Sequence, residues 1–338
     1  MKKNVLLILL ILLTICLGFS WGLWSYLNIP PSKDRDIRYV EISSGTHFSH
    51  LADILEREGI ITGIKRFRLL AKLKGVEKEI KAGDYLFHTA MTPSEVLDKL
   101  VRGEYRTHKL TIPEGFTMFQ IAELLEEEGL IEKEKFLKCA SDPVFVHSLG
   151  IKDSSLEGFL FPDTYLLRKS MGEESILKKM VARFNEMFKE QYAQRAQELN
   201  MSREELVTLA SIVEKETSDP SERHLIAAVF HNRLKRRMLL QSDPTVIYGL
   251  KDFNGNLTKE DLKTKTLYNT YLIKGLPPQP IANPGEESIK AVLYPSPKNY
   301  LYFVSKNDGT HHFSATLKEH NRAVNRYQRR RGSHPHMH

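Results

Sequence analysis

The sequence predicts an α+β protein that has an N-terminal membrane-spanning helix, a small α+β domain and a larger mixed α+β domain. Three observations lead to this fold class. Residues 5–27 are almost wholly apolar. Short strand-like runs alternate with helix-like segments in the next part of the chain, and longer helical patterns separated by turn-rich segments occupy the remainder. A length of 338 residues has room for about two domains.

The composition is that of a globular protein with a basic net charge. Charged residues make up 27% and hydrophobic residues 41% of the chain, and the formal net charge is +7. An anionic partner such as a membrane surface, a cell-wall polymer or a nucleic acid suits this charge. The sequence contains no zinc-finger, RNP or basic-aromatic motif, so we expect no nucleic-acid partner. Cys16 lies in the apolar run and leaves only Cys139, which excludes an internal disulfide and a cysteine-based metal site.

The apolar run at residues 5–27 is long enough to span a bilayer, which takes about 20 apolar residues. A signal peptide would have an apolar core of about 7–15 residues and a small-residue cleavage site, and neither feature is present. Two lysines within residues 1–4 place the N-terminus in the cytoplasm, and Trp21, Trp24 and Tyr26 suit the opposite interface. We therefore expect a single-pass protein of the bacterial cytoplasmic (inner) membrane, with the chain that follows the helix on the extracytoplasmic side.

A polar, proline-containing linker is predicted at residues 28–37. An internal repeat follows it, in which residues 45–61 match residues 115–131. Each copy comes after a short strand-like run and predicts a helix that ends at a glycine. Residues 81–100 add a strand, a turn and a helix with Pro93 at the first helical position.

The small domain, residues 38–106, consists of short strand-helix units that resemble LysM-like carbohydrate-binding modules. Such modules bind N-acetylglucosamine polymers, so the resemblance implies a glycan-binding role. It lies in the pattern of elements and in no sharp motif. A small packing domain without a ligand is the alternative.

The larger domain, residues 107–330, is predicted to be mainly helical in its middle part. Its predicted helices occupy residues 173–198, 202–217, 221–237 and 317–329. Ser221 is the expected N-cap of the third of these helices. Between the third and fourth we expect turn-rich loops, a strand at residues 300–305 and a turn at residues 311–314. Residues 331–338 are expected to be a disordered tail.

The helix predicted over residues 202–217 carries the strongest candidates for chemistry. Ser202 and Glu205 have the spacing of a capping box, and an apolar stripe runs along the helix. Glu214 and Glu216 lie near opposite edges of that stripe, where apolar neighbours raise the pKa of a carboxyl towards the range of a general acid. Helical geometry does not decide which of these two glutamates would act as the general acid. The alternative interpretation is that both are ordinary surface charges near the end of a helix.

Polar, turn-rich segments follow this helix at residues 240–249, 267–271 and 275–285. Their Gln, Asn, Thr and Tyr side chains supply neutral donors and acceptors beside flat rings, as recognition of sugars requires. Further candidates for lining a cleft lie upstream: Glu157, Asp163 and Tyr165.

The histidines of the C-terminal region give no metal motif. His311, His312 and His320 do not have the His-Glu-x-x-His spacing or any other recognised metal-ligand spacing. We therefore expect no metal site.

Long, ordered matches connect this sequence to a known family. They are Ala210–Thr217, Leu240–Gly249, Tyr268–Tyr271, Gly275–Pro278, Tyr300–Val304 and His312–Ser314. With them, nearly the whole chain resembles the MltG-type endolytic murein transglycosylases, the YceG-like family. The resemblance implies a lyase that cleaves the β-1,4 bond between N-acetylmuramic acid and N-acetylglucosamine in nascent glycan strands. The product would carry a 1,6-anhydromuramyl end, and the cut would terminate glycan elongation.

The resemblance also implies roles for individual residues. Glu216 directly precedes Thr217, as the catalytic glutamate precedes Ser or Thr in lytic transglycosylases that have a lysozyme-like catalytic helix. Glu214 and Thr217 are then supporting residues. The expected substrate-binding residues are Gln241, Asp243, Thr245, Tyr248, Tyr268, Asn269 and Tyr271. One carboxyl serves as acid and then base while the substrate's N-acetyl group stabilises the charge, so no metal and no cofactor are expected.

Peptidoglycan glycan strands are the partner that the resemblance implies. Penicillin-binding synthases and proteins of the divisome or elongasome are expected at the level of the family. Two other functions are compatible with the residues. A non-catalytic, membrane-anchored peptidoglycan-binding scaffold would not need Glu216, and a lysozyme-type hydrolase would release reducing muramyl ends.

Overall fold

The computed structural model describes residues 2–43 and 45–329. It is a mixed α+β protein with an apolar N-terminal helix, which confirms the predicted class at that level. Contacts divide the described residues into two compact units: the first runs to residue 109 and includes residues 166–172, and the second comprises residues 110–165 and those from residue 173 onward. The finer domain bounds remain predictions, and the predicted disordered tail lies outside the described residues.

The N-terminal helix α1 (Lys2–Asn28) contains the segment Leu9–Asn28, which is long and apolar enough to cross a membrane. Its last turn packs into the first unit, where Tyr26 is buried among apolar side chains. Beyond the helix, Ser32 N donates a hydrogen bond to Thr89 O over 3.2 Å. The segment predicted as a linker is therefore held against the first unit along part of its length.

The first unit continues with two helices between two strands and then a further helix. Its elements are β1 (Ile37–Ile42), α2 (Phe48–Arg57), α3 (Ile64–Lys74), β2 (Gly83–His88) and α4 (Pro93–Arg102). The strands are antiparallel, in a register that places Ile42 opposite Gly83. Phe67, Tyr85 and Phe87 are at most 1% exposed and lie in the core that the strands and helices share.

The second unit is mainly helical. Its helices are α5 (Met118–Glu127), α6 (Lys133–Ala140), α7 (Pro143–Ser148), α8 (Gly172–Met187), α9 (Glu190–Glu198), α10 (Arg203–Glu216), α11 (Arg223–Lys235), α12 (Asp243–Gly249), α13 (Glu286–Leu293) and α14 (Leu317–Val324). The remaining strands form two-stranded sheets, β3 (His108–Thr111) with β4 (Thr164–Leu167) and β5 (Tyr302–Ser305) with β6 (His311–Ser314).

The internal repeat forms the same local structure in both copies. Helix α2 and helix α5 are each followed by a glutamate and then by a glycine with positive φ, Gly59 at 70° and Gly129 at 67°. Glycine adopts this left-handed conformation without the strain that a side chain would add. The chain therefore turns at the same point in each copy and continues into α3 or α6.

Helix α10 is the centre of the second unit and contacts α9, α11, α12 and α13. Ser202 and Glu205 form the predicted capping box, in which Ser202 Oγ accepts from Glu205 N over 3.0 Å. Residues 206–213 are all buried. Polar side chains in such a helix need internal partners, and Ser211 Oγ donates to Thr208 O over 2.7 Å. The burial thus extends around the whole helix and is not confined to one stripe.

Three local predictions were wrong. Ser221 does not cap α11; instead Asp219 caps a short 3₁₀ turn before that helix by accepting from Ser221 N over 2.9 Å. Residues 311–314, predicted as a turn, form β6 and pair with β5. Residues 243–249, predicted as part of a loop, form α12, because Pro244 is compatible with the first turn of a helix, where its missing N–H is not needed.

The position of Gly158 allows a direct test of packing around α10. Its φ is +89°, and a Cβ atom there would lie 2.4 Å from Pro280 Cγ and 2.9 Å from Val207 Cγ1. We expect Gly158→Ala to lower the free energy of unfolding by about 2 kcal/mol or more, because overpacking adds to backbone strain. Urea titration of the purified protein measures this change.

Gly150→Ala is the matched control for that substitution. Gly150 also has a positive φ, +77°, but a Cβ atom there would meet nothing within 4 Å. Gly150→Ala should therefore cost only the backbone strain, about 1–2 kcal/mol, and less than Gly158→Ala. Equal losses in the two variants would contradict the packing argument.

Candidate active site

The end of α10 places Glu216 at the boundary of the buried interior. The helix stops because Thr217 has an extended backbone, with φ −146° and ψ 137°. The buried Thr217 side chain accepts a hydrogen bond from Asp219 N over 3.0 Å and so supports the turn after the helix. Glu216 is thereby the last helical residue, and its side chain is partly buried.

Ser242 is the hydrogen-bond partner of Glu216. Its hydroxyl donates to Glu216 Oε1 over 2.5 Å. Ser242 is 1% exposed, and its backbone N–H donates to Thr270 Oγ1 over 3.0 Å. Thr245 Oγ1 also donates to Ser242 O over 2.6 Å. Because the backbone of Ser242 is held on both sides, its hydroxyl presents a fixed, neutral donor to the carboxyl.

The surroundings of Glu216 raise its pKa. Burial raises the pKa of this carboxyl from an ordinary value of 4.5 to about 7, and the negative charge of Asp243 acts in the same direction. The hydrogen bond from Ser242 and the positive charge of Arg233 oppose the rise. Glu216 can therefore be protonated at neutral pH and can also give up that proton, which a group acting as acid and then base must do.

Glu214 has different partners from Glu216. Its side chain is 6% exposed and forms a salt bridge of 3.3 Å with Arg223. Its other oxygen accepts from Gly285 N over 3.0 Å. Arg223 also lies 3.4 Å from a carboxylate oxygen of Glu114. These contacts join the end of α10 to α11 and to the start of α13, so the structure gives Glu214 a structural role.

Arg233 of α11 is a buried cation whose charge acts on Glu216. It is 6% exposed, and its guanidinium donates to Leu301 O and to Leu240 O, each over 2.7 Å. The same guanidinium lies over the Tyr302 ring at 5.4 Å. Because backbone carbonyls and a ring hold this cation, it forms no direct bond to Glu216 but limits the rise of the carboxyl pKa.

Five of the predicted substrate-binding residues have exposed or partly exposed side chains: Gln241, Asp243, Tyr248, Tyr268 and Tyr271. Gln241 adopts a positive φ of 48°, directly before Ser242. The Tyr271 hydroxyl donates to Asp243 Oδ1 over 2.5 Å. The Tyr248 and Tyr268 rings meet edge to face at 4.9 Å. These side chains are accessible to a ligand, and their role in binding stays a prediction.

Thr245 and Asn269 are 0% exposed. Thr245 Oγ1 lies 2.8 Å from Thr270 Oγ1. Asn269 Nδ2 donates to Thr264 O over 2.8 Å, and Asn269 Oδ1 accepts from Tyr271 N over 2.9 Å. In this structure both side chains hold the loops in place, and neither is open to a ligand.

Glu157 is a second carboxyl with a raised pKa, and it is fully buried. Burial raises its pKa to about 8. Its oxygens accept from Met118 N, from Asn283 Nδ2 and from the Tyr248 hydroxyl, each at 3.0 Å. A carboxyl with no exposure cannot touch a ligand, so Glu157 links the start of α5 to the end of α12 instead of lining a cleft.

The other two upstream candidates also have internal partners. Asp163 forms a salt bridge of 2.6 Å with Arg183. Tyr165 is buried, and its hydroxyl donates to Phe161 O over 2.5 Å. These contacts give both residues structural roles in the second unit.

The histidines have separate partners. His311 Nδ1 lies 2.6 Å from Glu222 Oε2, and His320 stacks on Tyr302 with 5.1 Å between ring centroids. Within residues 2–43 and 45–329, no group of three or more His, Cys, Asp or Glu side chains is arranged to hold a metal ion.

The sequence analysis missed Ser242 and the electrostatic role of Arg233. Ser242 stands between Gln241 and Asp243, both of which were predicted, but a serine beside a helix start ordinarily caps its own helix. Here it is the N-cap residue of α12 without a side-chain cap, because its hydroxyl donates to Glu216. Only the packing of α12 against α10 reveals this contact.

The site defines a class of protein. A carboxyl with a pKa near neutrality ends a buried helix and bonds to the neutral hydroxyl of Ser242. The chain neighbours of that serine, Gln241 and Asp243, have exposed side chains, and Asp243 bonds to Tyr271. This arrangement is typical of α+β enzymes that act by general acid–base catalysis.

Comparison with known proteins gives the family. The model of the YceG-like family matches residues 40–326, and the chain belongs to that family. An endolytic murein transglycosylase of Bacillus subtilis is 34% identical over 316 residues, which are 88% of this chain and 87% of that protein. One from Streptococcus pneumoniae serotype 2 is 32% identical over 339 residues, which are 91% of this chain but only 61% of that protein.

A solved structure is also similar. The crystal structure of a yceG-like protein from Listeria monocytogenes superposes with a TM-score of 0.59 at 35% sequence identity. The match covers 85% of this chain and 98% of that one. The similarity therefore extends over both units of the chain.

The raised pKa of Glu216 predicts how stability depends on pH. A carboxyl whose folded pKa is about 7 instead of 4.5 opposes folding when it ionises, so stability falls as pH rises between these values. Glu216→Gln cannot ionise and should be more stable than the wild type at pH 8 by about 1–3 kcal/mol. Near pH 4.5 the difference should be small. Thermal unfolding of both proteins across this pH range checks the difference.

Glu214→Gln is the matched variant and should behave in the opposite way. It leaves the buried Arg223 without its closest carboxylate, so we expect a loss of about 2 kcal/mol or more at pH 8. If both variants were destabilised alike at pH 8, the distinction between the two glutamates would be wrong.

Proposed function

We propose that this protein is an endolytic peptidoglycan lytic transglycosylase and that Glu216 is its catalytic residue. The observation that carries the proposal is the raised pKa of a carboxyl that is paired with a neutral hydroxyl. Membership of the YceG-like family supports it. So does the name that the Bacillus subtilis and Streptococcus pneumoniae relatives share, endolytic murein transglycosylase.

The reaction needs one carboxyl. Protonated Glu216 donates its proton to the glycosidic oxygen as the bond from that oxygen to C1 of N-acetylmuramic acid breaks. The substrate's own N-acetyl group stabilises the positive charge that develops at C1. The Glu216 carboxylate then takes the proton of the C6 hydroxyl, whose oxygen bonds to C1 and closes the 1,6-anhydro ring. Glu216 is protonated again, and no water is consumed.

The accessible polar side chains of the segments that follow α10 are assigned to substrate binding. Asp243 and Tyr271 form a hydrogen-bonded pair in which the carboxylate oxygen is fixed by the phenol. The partly exposed rings of Tyr248 and Tyr268 offer apolar surfaces, which suit the faces of sugar rings. Gln241 supplies an exposed amide at the start of the same segment. Thr217 and Glu214 support the site by fixing the end of α10.

The first unit is assigned a LysM-like, glycan-binding role. Its order of strand, helix, helix and strand supports this assignment. Helix α10 corresponds in the same proposal to the catalytic helix of lysozyme-like enzymes, since it is buried and its last residue is the acid.

Helix α1 and the N-terminal lysines support a proposed location. Helix α1 anchors the chain in the bacterial cytoplasmic membrane, with residues 1–4 in the cytoplasm and the second unit outside. There the enzyme acts on nascent glycan strands and terminates their elongation. Penicillin-binding synthases and other proteins of the divisome or elongasome are its proposed partners.

Product analysis tests the activity. Full-length wild type, Glu216→Gln and Glu214→Gln, each in detergent, are incubated with nascent peptidoglycan, and the released glycans are analysed by mass spectrometry. We expect 1,6-anhydromuramyl ends from wild type and a loss of at least about 10³-fold in Glu216→Gln, which lacks the acid. Glu214→Gln should keep activity at temperatures where it remains folded.

Other products would identify the other functions. Reducing muramyl ends would show a lysozyme-type hydrolase. Glycan binding by all three forms without cleavage by any would show a scaffold. Full activity of Glu216→Gln would remove this residue from the catalytic role.

The hydrogen bond from Ser242 predicts a shift in the pH profile. Because this bond lowers the pKa of Glu216, Ser242→Ala should raise that pKa. The protonated acid then persists to higher pH, and the alkaline limb of kcat/KM should move upward by about one pH unit. Ser242→Thr keeps a hydroxyl and should restore the wild-type limb. An unshifted limb in Ser242→Ala would contradict a direct role for this bond.

A further inference from the structure

A cavity of about 580 Å³ lies along one side of α12. Much of its lining is apolar and includes Phe119, Ile247 and Ile281. Its charged lining residues are both basic, Lys215 and Lys251. Glu216 does not line this cavity, so the cavity is distinct from the proton-transfer site.

The cavity and the proton-transfer site are built on the same two helices. Lys215 lines the cavity and directly precedes Glu216 in α10. Pro244 lines it and directly follows Asp243 in α12, the helix that begins at the hydroxyl bound to Glu216. The cavity therefore adjoins the sequence neighbours of Glu216 and Asp243 on both helices.

Several neutral polar atoms of the lining already have partners. Thr117 Oγ1 accepts from Gln120 N, and Gln120 Oε1 accepts from Thr117 N, in the capping box of α5. The Tyr248 hydroxyl donates to the buried Glu157. This leaves the two lysine ammonium groups as the strongest polar features of a largely apolar cavity. Lys215 Nζ is held at 3.2 Å from Gly115 O, which fixes one of these charges.

We propose that this cavity binds the peptide stem carried by the N-acetylmuramic acid residue at the cleavage point. This inference rests on the proposed function. A stem peptide combines carboxylates, which the lysines attract, with small apolar side chains, which suit the wall at Phe119 and Ile247. A sugar ring would require several neutral donors and acceptors, and those of this cavity are largely engaged.

The test compares two forms of one substrate. Glycan strands that carry intact stems are compared with the same strands after an amidase has removed the stems. Full-length wild type should cleave the stem-bearing strands with a higher kcat/KM. The double variant Lys215→Ala with Lys251→Ala should lose about tenfold in kcat/KM on stem-bearing strands. It should stay within about twofold of wild type on stripped strands.

Two further variants control this comparison. Lys274→Ala with Lys298→Ala removes the same charge from exposed lysines that do not line the cavity, and it should leave both rates unchanged. Phe119→Ala removes a ring that is 49% exposed, so it should weaken cleavage of stem-bearing strands without unfolding the protein. Equal losses on both substrates, or no loss on either, would overturn the proposal.

A binding measurement separates this proposal from the proposed function. If wild type cleaves neither substrate, the proposed function fails, and binding of a fluorescently labelled stem pentapeptide to Glu216→Gln still tests the cavity. We expect the double lysine substitution in that background to weaken the Kd by about tenfold. Amidation of the peptide's carboxylates should have a similar effect. A Kd that neither change affects would show that the cavity does not recognise stems.

Discussion

The burial of α10 is the constraint on which the rest of the site depends. Residues 206–213 are enclosed on all sides by α9, α11, α12 and α13, so the helix cannot shift without opening the core of the second unit. Thr217 then ends the helix at a fixed point. The carboxyl of Glu216 is consequently held where burial disfavours its charged form.

Two glutamates at the end of this helix differ because of what packs against each. Residues two apart point in different directions around a helix, about 200° from one another. Glu214 meets the guanidinium of Arg223 and the N–H of Gly285, both of which hold it in place. Glu216 meets the neutral hydroxyl of Ser242, which donates one hydrogen bond without supplying a full positive charge. One carboxyl is therefore a structural anchor, and the other is able to exchange a proton.

The loops around the site combine an accessible surface with a buried support. Tyr248 has a partly exposed ring, but its hydroxyl donates a hydrogen bond to the buried Glu157. Glu157 also accepts from the start of α5 and from Asn283. Buried polar networks of this kind fix geometry when all their members have partners. The tyrosines and the cavity beside α12 thus have positions that the interior of the second unit determines.

The sequence by itself determined the features that depend on local patterns. The apolar run of α1, the capping box at Ser202 and the glycine turns of the repeat are each decided within a few residues, by hydrophobicity, side-chain hydrogen bonding or a required positive φ. The resemblance to a family, carried by segments such as Leu240–Gly249, selected Glu216 over Glu214, which helical geometry alone could not do.

Only the tertiary structure decided how distant segments meet. It brought Ser242 to Glu216 and Arg223 to Glu214, and it made α12 a helix where turn residues predicted a loop. It also enclosed Thr245 among internal partners although its residue type suits sugar binding. The physical reason is that burial, and with it the pKa of a carboxyl, depends on side chains far away in the sequence, whose positions no local pattern contains.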